Sequence, residues 1–302
     1  MRIVIFLLIV ATTFATTYAP PDTRSWEQVT VDFIAHPGRF AKDGDYGGRR
    51  LKELDPKRAA AFLIPFLAKT QPDGVRVKAI GALGWSSFHE AIPALSAIAL
   101  DATDHEAIRA QVLNPGLRYM KHPEALKTAS ALIADPSPNI RRGALWVLSE
   151  HGTDEAVELL AARLRANDKP LLDQLMCALY FSKHPRAGKL VFSSVAFSNL
   201  ADERCRHAYA LTMEAYRLAE AQQNMLLIAQ QPDQPSSAHY ALRYFTSFPR
   251  EDVAPALIAF IESKRYSGDL YNTVTEFIKS PNVADKTKAT LSALITSGKF
   301  RK

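Results

Sequence analysis

The stretch Val75-Arg76-Val77-Lys78-Ala79-Ile80-Gly81-Ala82-Leu83-Gly84 and its counterpart Ile140-Arg141-Arg142-Gly143-Ala144-Leu145-Trp146-Val147-Leu148 decide the fold of this 302-residue chain. Each places small or apolar residues at its first position and again four, five and eight residues further on. Such spacing gathers side chains on one face of a helix. A strand would alternate apolar with polar residues, and these windows do not. Five more windows align with them, beginning at Ile108, Leu171, Cys205, Ser237 and Asp269. The steps from Val75 to Asp269 are 33, 32, 31, 34, 32 and 32 residues. A near-constant period of this size marks a stack of supersecondary units that bury their faces only against neighbours.

Counting from zero at each window start, position five holds Ile80, Leu113, Leu145, Met176, Ala210, Leu242 and Val274. Position eight holds Leu83, Gly116, Leu148, Leu179, Met213, Phe245 and Phe277, and position four holds Ala79, Val112, Ala144, Leu175, Tyr209, Ala241 and Thr273. A turn and a second helix follow each window. These second helices are expected near 90–100, 123–134, 154–166, 185–197, 217–229, 250–262 and 283–297. Pro93 and Pro255 fall in their first turns, where a missing N–H costs little. Asp73, Asp135, Thr153 and Asp202 read as helix starts. Lys121-His122-Pro123 and Lys183-His184-Pro185 are near-identical turns two periods apart.

The quoted windows resemble the Asp-x-x-Val-Arg-x-x-Ala-x-x-x-Leu signature of the HEAT-like family, in its short form. The resemblance covers residues 56–299 and implies an all-α, right-handed α–α solenoid of about seven hairpins, starting near 73, 105, 137, 169, 202, 235 and 267. It implies a scaffold that binds a protein or peptide, without a cofactor or a catalytic or metal site of its own. Short HEAT-like repeats are also similar to those of bilin lyases, which would imply help with tetrapyrrole attachment. A DNA-repair glycosylase built on HEAT-like repeats is the third reading. An export signal argues against both of these.

Residues 2–19 read as that signal: Arg2, an uninterrupted apolar run from Ile3 to Val10, then small and Thr-rich sequence to Ala19. Cleavage after Ala15 or after Ala19 both fit, and the run is too short for a comfortable membrane span. The expectation is a mature protein in the bacterial periplasm, without membrane insertion, its oligomeric state open. Residues 20–55 are expected to hold an amphipathic helix at 25–35 and a basic Gly-rich loop, and 300–302 a basic tail. A helix starting at Pro56 and kinked at Pro65 would form the polar-faced end that solenoids need. Net charge is +6, from 37 Lys and Arg against 31 Asp and Glu. That is mild for the length and supplies no continuous basic track for nucleic acid. Only Cys177 and Cys205 are present. Their six-residue offset along neighbouring helices amounts to about 9 Å, beyond the roughly 7 Å a disulfide spans, so two free thiols are expected.

Few motifs carry chemistry. Asp43-Gly44-Asp45 opens like a calcium loop, but Leu54 stands where the bidentate Glu belongs. Arg76, Arg109, Arg141 and Arg206 share position one and read as a structural ladder bonded to adjoining turns, rather than as an anion-binding stripe. His89, His122, His151 and His184 fall in consecutive turns and line one edge of the stack, too far apart on helix spacing to share a metal. The second helices carry charges of alternating sign, a mosaic that suits a protein partner. The candidate partner-binding residues are Trp146, as an aromatic anchor, Arg163, Arg165, Arg186 and Lys189 on the second helices, and His122, His151 and His184 on the turn edge.

Overall fold

A computed structural model describes residues 56–166, 169–231, 234–263 and 270–297, with Ser25 and Gln28. The export signal, most of the 25–35 helix, the basic loop with its calcium-like motif, and the tail lie outside the described residues. Every regular element among the described residues is helical. Helix α1 (Pro56–Leu63) runs into a 3-10 turn at Ile64–Leu67, as a proline at 65 requires. Seven hairpins follow. They are α2 (Asp73–Trp85) with α3 (Ile92–Leu100), α4 (Glu106–Gln111) with α5 (Pro123–Leu132), and α6 (Pro138–His151) with α7 (Asp154–Arg165). Next come α8 (Leu172–Ser182) with α9 (Ala187–Ser194), α10 (Glu203–Tyr216) with α11 (Gln222–Ala229), α12 (Pro235–Tyr244) with α13 (Ala254–Glu262), and α14 (Leu270–Lys279) with α15 (Asp285–Thr296).

The core is the sequence period made physical. Every residue at positions four, five and eight of the seven windows is buried, from Ala79 to Phe277. Burying a Leu or Phe side chain stabilises by about 1.5–3 kcal/mol, and neighbouring hairpins supply that burial for one another. First helices pack along one another in order, α2 to α4 to α6 to α8 to α10 to α12, while successive second helices touch less. The first helices are therefore the tightly packed layer.

Local chemistry sets the helix ends. Thr153 Oγ1 accepts from Ala156 N–H at 3.2 Å, Asp202 Oδ1 from Arg204 N–H at 2.7 Å, and Ser137 Oγ from Ile140 N–H at 3.4 Å. Each satisfies a donor that the first turn leaves without a partner. Pro93 and Pro255 lie in the first turns of α3 and α13. Gly143 lets α6 approach the segment that follows α4, since a Cβ there would sit 2.7 Å from Leu113 Cβ.

The arginines of position one form the structural ladder. Arg76 donates Nε to Leu67 O at 3.0 Å, and both terminal nitrogens to Asp104 at 2.8 and 2.5 Å. Arg109 repeats this, with Ala99 O at 2.9 Å and Asp135 at 2.7 Å. Both side chains reach from the end of the previous unit to the turn that opens the next. Among the described residues, Arg141 and Arg206 bond only the carbonyls of their own turns, at Asp135, Pro136 and Ala201. The second window departs from its regular reading. Asn114 adopts φ −143°, ψ 105°, and α4 passes into a wide π-type segment at Val112–Leu117. Pro115 is the reason: a helix-interior proline removes a hydrogen bond and collides with the preceding turn. Val112, Leu113 and Gly116 stay buried nonetheless, so packing survives a local break in helicity.

Candidate functional site

The outer face of the first helices carries positions six and ten, one helical turn apart. Position six is half-buried in all seven units: Gly81, Asn114, Trp146, Cys177, Leu211, Arg243 and Thr275. Trp146 is therefore neither core nor fully exposed. The Arg118 guanidinium lies 4.6 Å from its ring centre, and Phe181 packs at 5.3 Å with the rings inclined at 53°. Contacts continue to both sides. Trp85 stacks on Tyr119 at 5.0 Å, Arg118 lies 5.1 Å from Tyr119, and Tyr180 meets Phe181 edge-on at 4.8 Å. Trp85 and Phe181 are 57% and 46% exposed, so the run across four repeats presents aromatic surface to solvent.

Between α6, α8 and the start of α10 this face opens into a cleft of about 330 Å³, with Leu145, Trp146, Cys177, Ala178 and Phe181 as its apolar walls. Arg142, Asp173, Gln174 and Arg204 line it with polar groups. Arg142 Nε donates to Gln174 Oε1 at 3.3 Å, and Arg204 Nε lies 3.5 Å from Asp202, the cap of α10. Burial, with the Asp173 carboxylate adding to it, pushes the Cys177 thiol up to about 11; Cys205 is raised by the same causes. Both are free thiols. A thiol held so far above neutrality is almost wholly protonated and makes a poor nucleophile. Sulfur here fills space. A second, more polar cleft of about 190 Å³ lies between α10, α12 and α14, where Arg243 pairs with Glu214 at 3.2 Å. Both clefts open between first helices, beside the candidate Trp146 in the first case, rather than on the second helices or the turn edge that carry the other candidates.

The second helices instead tie up much of their charge. Arg165 and Arg186 converge on Glu158 from either side, and Arg186 also reaches Asp154 at 3.2 Å. Arg165, then Arg186, hold the Glu158 carboxyl below its usual range. Two of the four candidate cations are thus linked through one carboxylate, joining α7 to α9. Arg163 is half-buried and Lys189 exposed.

The turn edge brings its histidines closer than helix spacing suggests. The rings of His89 and His122 stand 5.8 Å apart. Among the described residues no group of three or more His, Cys, Asp or Glu could hold a metal ion. His122 and His184 do equivalent work: each Nδ1 accepts the N–H two residues on, from Glu124 at 3.2 Å and Arg186 at 3.3 Å. His122 thereby caps the start of α5 as Asp or Ser would, while His184 closes the turn that leads into α9. His184 Nε2 also faces Asp154 at 3.2 Å. His151 is held below its usual range, chiefly by burial, with Lys121 and His122 adding to it and a bond to the Met120 backbone opposing. Among the described residues its Nε2 is buried without a partner.

Residues 105–176, from the start of α4 into α8, match the family model of HEAT repeats. The chain carries HEAT-like repeats. No curated protein matches it. The matched HEAT stretch includes Arg142, Trp146 and the first turns of α8, so much of the aromatic cleft is built on the regular repeat. Within that HEAT-like frame, the sequence reading singled out Trp146 but missed Arg118, Phe181, Tyr119, Trp85 and Arg142. Aligning position ten would have found three of them, since Trp85, Arg118 and Phe181 all occupy it.

Proposed function

We propose that this chain is an exported, non-enzymatic HEAT-like scaffold that binds a protein or peptide partner through the outer face of its first helices. One observation carries the reading: the continuous run from Trp85 to Phe181, with Arg118 between its rings, exposed on a rigid helical layer. Trp, Tyr and Arg are the residues over-represented at interface hot spots. Large aromatic patches are rarely left in water without a use. Two of the four candidate cations on the second helices, Arg165 and Arg186, are already paired with carboxylates, which favours the first-helix face over the candidate set Arg163, Arg165, Arg186 and Lys189. An immunity or inhibitor protein that masks a secreted effector is one concrete form of this function, and an envelope assembly factor is another.

The test is affinity capture by the mature chain from an envelope extract, with two surface variants. Trp146→Ala combined with Phe181→Ala should lose the specifically recovered protein. Arg163→Glu combined with Lys189→Glu should keep it. The reverse pattern would move the binding surface to the second helices and defeat the proposal.

A further inference from the structure

We infer that the cleft between α6 and α8 takes a short peptide segment in which one large apolar side chain is flanked by carboxylates. This rests on the partner-binding reading and adds the chemistry of the partner. The first argument is size. The cleft holds about 330 Å³, near the lower end of ligand sites, which run from about 300 to 1,000 Å³. A side chain and its backbone fit such a space better than a large cofactor does. The second is preorganisation. Trp146 is wedged between Arg118 at 4.6 Å and Phe181 at 5.3 Å, so little side-chain freedom remains to be lost when a partner seats.

Charge supplies the third argument. Arg118 is already engaged, with the Trp146 ring and with Glu150 at 3.9 Å. Arg142 is exposed, and among the described residues it has a hydrogen bond to Gln174 but no ion pair. Arg204 is exposed and meets Asp202 only at 3.5 Å, a surface pairing of little strength that a better-placed carboxylate can replace. The lining sets one carboxylate, Asp173, beside these two cations, and Asp202 stands against Arg204 from outside it. Arg142 is the lining cation without an ion pair among the described residues, so a carboxylate next to the inserted side chain completes it.

A dye-labelled pentapeptide with one phenylalanine between two pairs of glutamates tests this by fluorescence anisotropy. Two further peptides replace the phenylalanine by glycine, or the glutamates by lysines. The acidic phenylalanine peptide should bind, and each comparison peptide should bind at least about tenfold more weakly, the equivalent of one 1.4 kcal/mol interaction. Arg142→Glu and Phe181→Ala, both at exposed side chains, should each weaken binding by about tenfold or more. Glu158→Ala on the second-helix face should leave it unchanged. Equal binding of the lysine peptide, no saturable binding of the acidic one, or tighter binding of a labelled oligothymidylate would overturn the inference. If capture from extract still depends on Trp146 and Phe181 while the acidic peptide fails, the scaffold reading stands and this inference alone falls.

Discussion

Removing the Asp104 carboxylate should destabilise the N-terminal repeats more than any surface change. Arg76 and Asp104 have side chains only 3% and 2% exposed, and the guanidinium donates to both carboxylate oxygens. In Asp104→Ala the guanidinium keeps, among the described residues, Leu67 O and Asp73 at 3.8 Å, itself half-exposed. Leaving one charge of a buried pair alone costs about 3–5 kcal/mol. At a urea slope of about 3 kcal/mol/M that is a midpoint shift of roughly 1–1.7 M. Circular dichroism gives the midpoint, and hydrogen exchange should show the loss concentrated in α1, α2 and α4, which the ladder joins. Replacing both partners, Arg76→Met with Asp104→Leu, should recover most of the loss, because two apolar side chains of similar volume need no charge partner. A loss below about 1 kcal/mol for Asp104→Ala would refute the reasoning. So would a double variant no more stable than the single one. The pair also gives a pH signature. Hydrogen bonding to Arg76 holds the Asp104 carboxyl below its ordinary range. Its contribution is therefore present above the unfolded-state value near 3.9 and is lost as pH falls through the lower folded value.

Three further outcomes follow from the same contacts. His151, its folded value lowered chiefly by burial, should make stability fall as pH drops below the unfolded value of about 6.5. The slope can reach about 1.4 kcal/mol per pH unit, and His151→Gln should flatten it in urea titrations across that window. Gly143→Ala should destabilise: overpacking against Leu113 costs about 1–3 kcal/mol, against about 1 kcal/mol gained in helix propensity. Gly81→Ala, whose Cβ would meet only Trp85 Cδ1 at 3.9 Å, should instead raise the thermal midpoint; equal effects at the two sites would deny the close approach of α6 to the segment that follows α4. Glu158→Ala, on the solvent-exposed network with Arg165 and Arg186, should change stability by less than about 1 kcal/mol, with any loss diminished by salt.

The architecture was legible because three positions per repeat obey helical spacing for reasons of burial alone. Ile80, Leu148 and Phe277 lie nearly 200 residues apart and yet do the same thing. The arginine ladder was legible for the same reason, since its period is that of the fold. Its partners were not: the buried acceptor of Arg76 is Asp104, 28 residues on, at the turn opening the next repeat, while Asp73 at its own helix start stands at 3.8 Å. Pro115 was a visible warning against a regular α4, overridden by an apolar pattern that packing preserves even where helicity fails. The cleft escaped because its walls come from neighbouring repeats. Trp146 pointed to it through its own variable position, but Phe181 belongs to the next helix and Arg118 to the previous one. Only the stacked arrangement puts a guanidinium, an indole and a phenyl ring in contact. The histidines of the turn edge illustrate the reverse case. Their regular spacing suggested an exposed row, whereas His122 is occupied in capping a helix start and His184 in closing the turn before one.

The most direct measurement is hydrogen–deuterium exchange of the captured partner complex against the free chain. Added protection should fall on residues 138–151 and 172–182, the first helices that flank the cleft, with α7 and α9 unchanged. Protection confined to 154–165 and 187–194 would contradict recognition through the first-helix layer.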